Sequence, residues 1–379
     1  MLVDSSPPQK ELKTYALHDS VNSADISPDE QLVVTERTKK AYADSTTNIF
    51  SEVIQTWNFK EDKLVAEFTA QRVDVKASST GHFFDPVRGQ RIVRFSTDGK
   101  VVALIDRKIH VLRAADLSEI RTIPLVEPGG VIHEKTTVNT AYVGVAEVSP
   151  SGDAVAILWA KGRLHGRIEL YDLSTGRNTL SWDTPQGFIF GNLVWHPSGK
   201  LLLIAIPNEM PCRPPGNQPD VFAFDVQTGA VKYKFRTGLL TESIAVTADN
   251  RVLAVDSYCL EDRDPKLRVF DLLTGKHLLD VSGRGTGVRC YVSASTDGSR
   301  FLAFTGKIKR KFDWGDFVFV TGLADMTFSV WNLTNYEGIV TSQNLKRFRL
   351  NTSELRLSSK GRYALALGYG GASAVYELP

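Results

Sequence analysis

Residues 147–182 read EVSPSGDAVAILWAKGRLHGRIELYDLSTGRNTLSW, and this stretch decides the fold. Its first half is a short apolar run, a Ser-Pro-Ser-Gly turn and a second apolar run. Its second half alternates apolar and polar residues up to Asp172-Leu-Ser-Thr-Gly176, then alternates again. Asp, Ser and Gly at such breaks supply the backbone conformations that reverse an extended chain. Two alternating runs on either side of a turn make a β-hairpin, so the stretch reads as two hairpins, or four strands.

The same unit recurs along the chain. The first phrase appears as ADISPDEQLVV from Ala24, RFSTDGKVVAL from Arg94, EVSPSGDAVAI from Glu147 and VWHPSGKLLLI from Val194. It continues as AVTADNRVLAV from Ala245, SASTDGSRFLA from Ser293 and RLSSKGRYALA from Arg356. Its turn positions are Ser27, Ser96, Ser149, His196, Thr247, Ser295 and Ser358. The second phrase begins at Ile54, Ile109, Ile168, Val221, Leu267 and Phe328, with Asp-x-x-Thr-Gly at its best-formed turns. Four strands per unit and seven units predict an all-β, seven-bladed β-propeller of four-stranded blades. Helical periodicity of useful length is absent, which argues against βαβ units.

These units resemble WD40-like and YVTN-type propeller repeats. The Ser-Pro-Asp and Thr-Asp-Gly turns and the Tyr171–Gly176 and Phe270–Gly275 turns carry the resemblance. The Gly-His pair of WD40 repeats is absent at the repeat positions, and the terminal Trp-Asp is replaced by Trp-Asn, Tyr-Asp or Phe-Asp. The resemblance implies an interaction platform, although a fold by itself does not fix a function.

The seventh unit, ending SAVYELP, supplies three strands only, whereas ELKTYAL at 11–17 precedes the first repeat and has no blade of its own. The N-terminal strand is therefore expected to complete the last blade. Residues 11–379 form the propeller on this reading, and residues 1–10 a flexible tail.

Long insertions fall on the face opposite the tight first turns of the blades. They comprise 38–50, 207–220, 257–266 and 306–325 within blades, and 71–90 and 125–140 between blades. Loops beyond about 12 residues are uncommon unless they carry function or are disordered. The insertion GKIKRKFDWGDFVFVTGLADMT reads as an extended hairpin. Lys307, Lys309, Arg310 and Lys311 precede Phe312 and Trp314, a basic and aromatic combination suited to an acidic protein or peptide, or to a glycan. Arg284, Arg289 and Tyr258 join them as candidate binding residues on the same face. Arg88, Arg91, Arg163, Arg167, Arg347 and Arg349 lie at or near it too, and several are placed to line the central opening.

Composition narrows the function further. Of 379 residues, 45 are Lys or Arg and 43 Asp or Glu, so the net charge of +2 does not mark a nucleic-acid binder. No apolar run is long enough for a transmembrane helix, and the first residues lack the regions of a signal peptide. A soluble monomer is expected, either cytoplasmic or exported with its leader already removed. Cys212, Cys259 and Cys290 match no zinc motif, although a Cys212–Cys259 or Cys259–Cys290 disulfide fits an exported chain. His82, His133 and His165 are the histidines that could meet above the channel. No phosphate loop or nucleophile elbow is present. No cofactor, metal or catalytic set is therefore assigned. The alternative to a binding scaffold is a propeller enzyme, quinoprotein-dehydrogenase-like, lactonase-like or a hydrolase, with its site at the central channel.

Overall fold

The structure is a computed structural model. It describes residues 2–3, 8–17, 21–42, 47–75, 92–97, 99–105, 108–126, 142–161, 165–185, 193–206, 217–239, 241–256, 266–282, 291–314, 317–342, 355–367 and 373–379. Seven antiparallel four-stranded sheets form the blades of a propeller, and among the described residues no helix is long and apolar enough to cross a membrane.

Blade 1 runs Val21–Ile26, Leu32–Tyr42, Thr47–Asn58 and Lys63–Val75. Blade 2 runs Ile92–Phe95, Lys100–Ile105, Lys108–Arg113 and Glu119–Pro124. Blade 3 runs Tyr142–Val148, Ala154–Lys161, His165–Asp172 and Asn178–Asp183. Blade 4 runs Leu193–Trp195, Leu201–Ala205, Val221–Asp225 and Val231–Phe235. Blade 5 runs Thr241–Val246, Arg251–Asp256, Lys266–Asp271 and His277–Ser282. Blade 6 runs Tyr291–Ala294, Arg300–Trp314, Phe317–Asn332 and Gly338–Ser342. Blade 7 runs Leu355–Leu357, Tyr363–Ala366 and Ala374–Glu377. Its outermost strand is Thr14–Ala16, paired Thr14 to Tyr376 and Ala16 to Ala374, so the N-terminal strand closes the ring as the sequence predicts.

The repeated turns have a repeated chemistry. The buried hydroxyl at the first turn accepts the backbone N–H that opens the second strand: Ser27 from Leu32 (2.9 Å), Ser149 from Ala154 (3.0 Å), Ser295 from Arg300 (3.0 Å) and Ser358 from Tyr363 (3.0 Å). Ser96 and Thr247 do the same to Lys100 and Arg251. In blade 4 the His196 ring takes the Ser198 N–H at 3.1 Å instead. At the second turns a carboxylate gathers the donors: Asp271 Oδ1 accepts from Thr274 N (2.8 Å) and Thr274 Oγ1 (2.7 Å). The turn then needs a left-handed residue. Gly275 has φ 67°, and a Cβ there would stand 2.6 Å from Phe235 Cβ on blade 4, so the glycine also sets the blade spacing.

Both faces of each sheet are apolar because each packs against a neighbouring blade. Seven buried clusters result among the described residues, one in each space between adjacent blades. The space between blades 7 and 1 is filled by Val33, Phe59, Leu365 and Val375, with Tyr15 edge-on to Phe59 at 5.2 Å.

Within the segment read as a tail, the described residues Leu2–Val3 and Gln9–Lys10 are strand. Leu2–Val3 adds a parallel fifth strand to blade 5, pairing with Asp280 and Val281, and Gln9–Lys10 does the same on blade 6 with Thr341 and Ser342. Neither pair carries a repeat signature, which is why they have no place in a reading built on repeats.

Candidate functional site: the channel and the hairpin face

The innermost strands touch those of neighbouring blades and surround the axis. The residue two places before each first-turn position is Asp25, Arg94, Glu147, Val194, Ala245, Ser293 or Arg356. Charge is therefore concentrated on blades 7, 1, 2 and 3, whereas blades 4 to 6 present small or apolar residues.

Three of these side chains meet. Arg94 is buried; its Nη1 donates to Val93 O (2.8 Å) and Ser23 Oγ (3.2 Å), and its Nη2 lies 3.5 Å from Glu147 Oε1. The same Glu147 oxygen accepts from Arg356 Nη2. Blades 3 and 7 are not neighbours, so the Arg356–Glu147 pair bridges the inner ring rather than an interblade seam. Asp25 Oδ2 beside them accepts the Phe95 N–H at 2.9 Å. Two guanidiniums share one carboxylate in a partly exposed ionic bar.

The sequence did not single out Arg94 or Arg356. The column that holds them was readable from the aligned repeats, as Asp, Arg, Glu, Val, Ala, Ser and Arg in blade order. Arg167, placed among the residues near the opening, sits instead on the third strand of blade 3. There it donates to Ser181 Oγ (2.7 Å) and lies near Asp183 (3.5 Å) and Glu169 (3.6 Å). Arg88, Arg91, Arg163, Arg347 and Arg349 lie outside the described residues, as do Arg284, Arg289 and Tyr258, His82 and His133, and Cys212, Cys259 and Cys290.

On the opposite face from the tight turns, two hairpins outgrow the ring. In blade 6, strands of 15 and 16 residues pair from Arg300↔Asn332 to Trp314↔Phe317, where the inner strand has four residues. At about 3.3 Å per residue the part beyond Thr305 adds about 30 Å of strand. Lys307, Lys309, Arg310, Lys311, Phe312 and Trp314 all belong to this first strand, and Phe312 pairs with Phe319. Register shifts at Thr305/Lys307, Ile308/Arg310 and Arg310/Lys311 bend the ribbon, as bulges do.

Blade 1 holds a second such ribbon. The sequence reads 38–50 as an inserted loop, but Thr38 pairs with Glu52 and Tyr42 with Asn48, so most of it is strand. The outer strand follows it as far as Val75. At its base the fully buried Glu52 accepts from Thr38 Oγ1 (2.7 Å), and Asn22 donates to Thr38 Oγ1 (3.1 Å). A run of polar residues in place of alternation disguised the strand. Among the described residues no group of three or more His, Cys, Asp or Glu is placed to hold a metal ion.

No family model matches the chain, and no curated protein matches it in sequence. Solved structures do. The WD40 repeats of RRP9 superpose with a TM-score of 0.58 at 10% identity, covering 99% of each chain. U3-55K gives 0.58 at 10% identity over 98% of this chain and 100% of its own. Hydrazine synthase of Kuenenia stuttgartiensis gives 0.59 at 10% identity over 98% and 97%. At that identity the likeness establishes the fold, the seven-bladed β-propeller shared with WD40 repeat proteins.

Proposed function

We propose that this propeller is a non-catalytic platform that binds a protein partner through the face bearing the two long hairpins. The observation that carries the reading is the placement of both ribbons on one face, one of them with a Lys-Ile-Lys-Arg-Lys run leading to aromatic rungs. A protruding ribbon with basic and aromatic residues fits an acidic segment, since charge steers the encounter and aromatic anchors hold it. A glycan is the other ligand class such a surface suits.

The channel is the place an enzyme of this shape would use, and there Glu147 is shared by Arg356 and Arg94. The test is binding of a labelled oligoglutamate peptide, followed by fluorescence anisotropy at low and physiological salt. Reversing Lys309, Arg310 and Lys311 to Glu is expected to weaken binding at least about tenfold. Equal affinity of wild type and variant would reject the basic ribbon as the site.

A further inference from the structure

The outer strand of blade 4, Val231–Phe235, carries lysines that find no counter-charge in the propeller. Lys232, Lys234 and Arg236 are exposed and follow one another at two-residue intervals, about 6.6 Å apart along an extended chain. Among the described residues Lys232 and Lys234 make no ion pair, and the Lys232 ammonium lies 5.9 Å from the centre of the Tyr233 ring. Register explains the contrast with a neighbouring blade. In blade 5 the corresponding cross-strand pair is Arg268 and Asp280, which form an internal ion pair at 3.3 Å. In blade 4 it is Phe222 and Lys234. Phe222 is buried in the core between blades 3 and 4, so the ammonium beside it has no carboxylate to meet on that strand.

The backbone of the same strand is open. Asp220 N donates to Phe235 O at 3.1 Å, so the Phe235 carbonyl faces the third strand. Alternation along an antiparallel strand then points the N–H and C=O of Lys234 outward. Blades 5 and 6 each carry a fifth strand on this edge, whereas among the described residues none pairs with Val231–Phe235 there. Val231 is 44% exposed. Across the seam the half-buried Trp182 of blade 3 rests its ring on Gly229, where a Cβ would stand 3.1 Å away.

Lysine on an open edge guards it against indiscriminate pairing. The same charges admit a strand whose alternate residues are acidic, because opposite charges facing each other across a ladder stabilise it and like charges do not. Only a peptide backbone can continue the ladder, and the two-residue interval of the cations is the side-chain period of a strand. We infer that the outer edge of blade 4 docks an extended acidic segment of a partner protein, with Asp or Glu at alternate positions opposite Lys232, Lys234 and Arg236. The segment pairs through its backbone with Val231–Phe235. This surface lies on the rim and does not depend on the hairpin face.

The experiment uses a fluorescein-labelled decapeptide of alternating Glu and Thr as the probe, with the full chain. Binding is followed by anisotropy, and its place by amide hydrogen exchange. Saturable binding that slows exchange across 231–236 is expected. Lys234→Glu combined with Arg236→Glu is expected to weaken that binding at least about tenfold with the melting temperature unchanged. A probe N-methylated at alternate residues keeps every carboxylate but cannot form the ladder, and it is expected to leave exchange at 231–236 unaltered. Reversing Lys309, Arg310 and Lys311 on the blade 6 ribbon is expected to leave the protection at 231–236 in place, so the rim and the ribbon are read separately. Absence of protection there, equal protection by the N-methylated probe, or undiminished protection in the blade 4 variant would overturn the inference. Displacement of the probe by oligouridylate at lower concentration than by unlabelled peptide would overturn it too, because the edge would then read a polyanion and not a strand.

Discussion

Glu30 Oε2 accepts a hydrogen bond from Arg362 Nε at 2.5 Å, joining the first turn of blade 1 to the first turn of blade 7 across 332 residues of chain. The other carboxylate oxygen accepts from Ser358 Oγ (2.6 Å) and Lys360 N (3.1 Å). Glu30 is fully buried and holds φ 61°, at the turn position where five other blades place glycine. A side chain kept in that conformation is explained by what it clasps. With the strand Thr14–Ala16 on the rim, it closes the ring at two radii.

Replacing Glu30 with Ala removes the clasp and keeps the strained backbone. The loss is expected to be about 3 kcal/mol, in line with a buried carboxylate that accepts several hydrogen bonds. Glu30→Gly is expected to cost less, because glycine adopts positive φ freely. Urea denaturation of both variants checks the order. Removing residues 1–17, which deletes the closing strand, is expected to lower the melting temperature sharply.

Two glycine substitutions separate backbone strain from interblade packing. Gly99 has φ 78° with open space where a Cβ would stand, and Gly99→Ala is expected to cost about 1 kcal/mol from strain alone. Gly275→Ala adds a clash with Phe235 and is expected to cost about 3 kcal/mol. Equal losses would show that blade 5 does not approach blade 4 this closely.

Asp220 gives the pH dependence its sign. It sits buried at the seam of blades 4 and 5, with Thr237 N (2.8 Å) on Oδ1 and Thr237 Oγ1 (2.5 Å) on Oδ2, and burial pushes its pKa up to about 6. The folded value exceeds the ordinary 3.8, so the neutral form is favoured in the fold. Its contribution to stability is complete below about pH 4 and is lost as pH rises through about 6. Asp220→Asn keeps one acceptor and one donor for Thr237 without the charge. Its stability relative to wild type is expected to rise between pH 4 and 7 by about 2–3 kcal/mol. Denaturation curves across that range read the difference, and a constant difference would contradict the assignment.

The channel bar predicts a reversal of sign. Arg356→Ala in the wild-type background removes one of two guanidiniums on Glu147 and is expected to destabilise by about 1 kcal/mol. Glu147→Ala leaves the two guanidiniums without their shared carboxylate and is expected to cost about 3 kcal/mol. In that second background Arg356→Ala is expected to be neutral or stabilising, as a double-mutant cycle measures.

The blades were legible because their signals are local. A turn hydroxyl such as Ser149, a carboxylate such as Asp172 and the runs between them specify a hairpin without reference to the rest of the chain. Closure by 11–17 was legible too, since one blade lacked a strand and one segment lacked a blade. What escaped detection depends on distant partners. Arg356 meets Glu147 only once the ring has formed, and the parallel addition of Leu2–Val3 follows no hydrophobic pattern. Thr38–Tyr42 was read as a loop because its polar sequence hides a strand whose pairing comes from the ribbon around it. The basic residues of the blade 6 ribbon were found by composition, and their backbone does lie in the extended hairpin expected for them.

The most direct test of the platform is to shorten the blade 6 ribbon. Thr305 and Thr327 are paired, so an Asn-Gly turn replacing residues 306–326 closes the hairpin at the level of the ring. Affinity for the acidic probe, measured beside the melting temperature, is expected to fall at least about tenfold while the melt is essentially unchanged. A shortened protein that melts like the original and binds the probe as tightly would contradict the account.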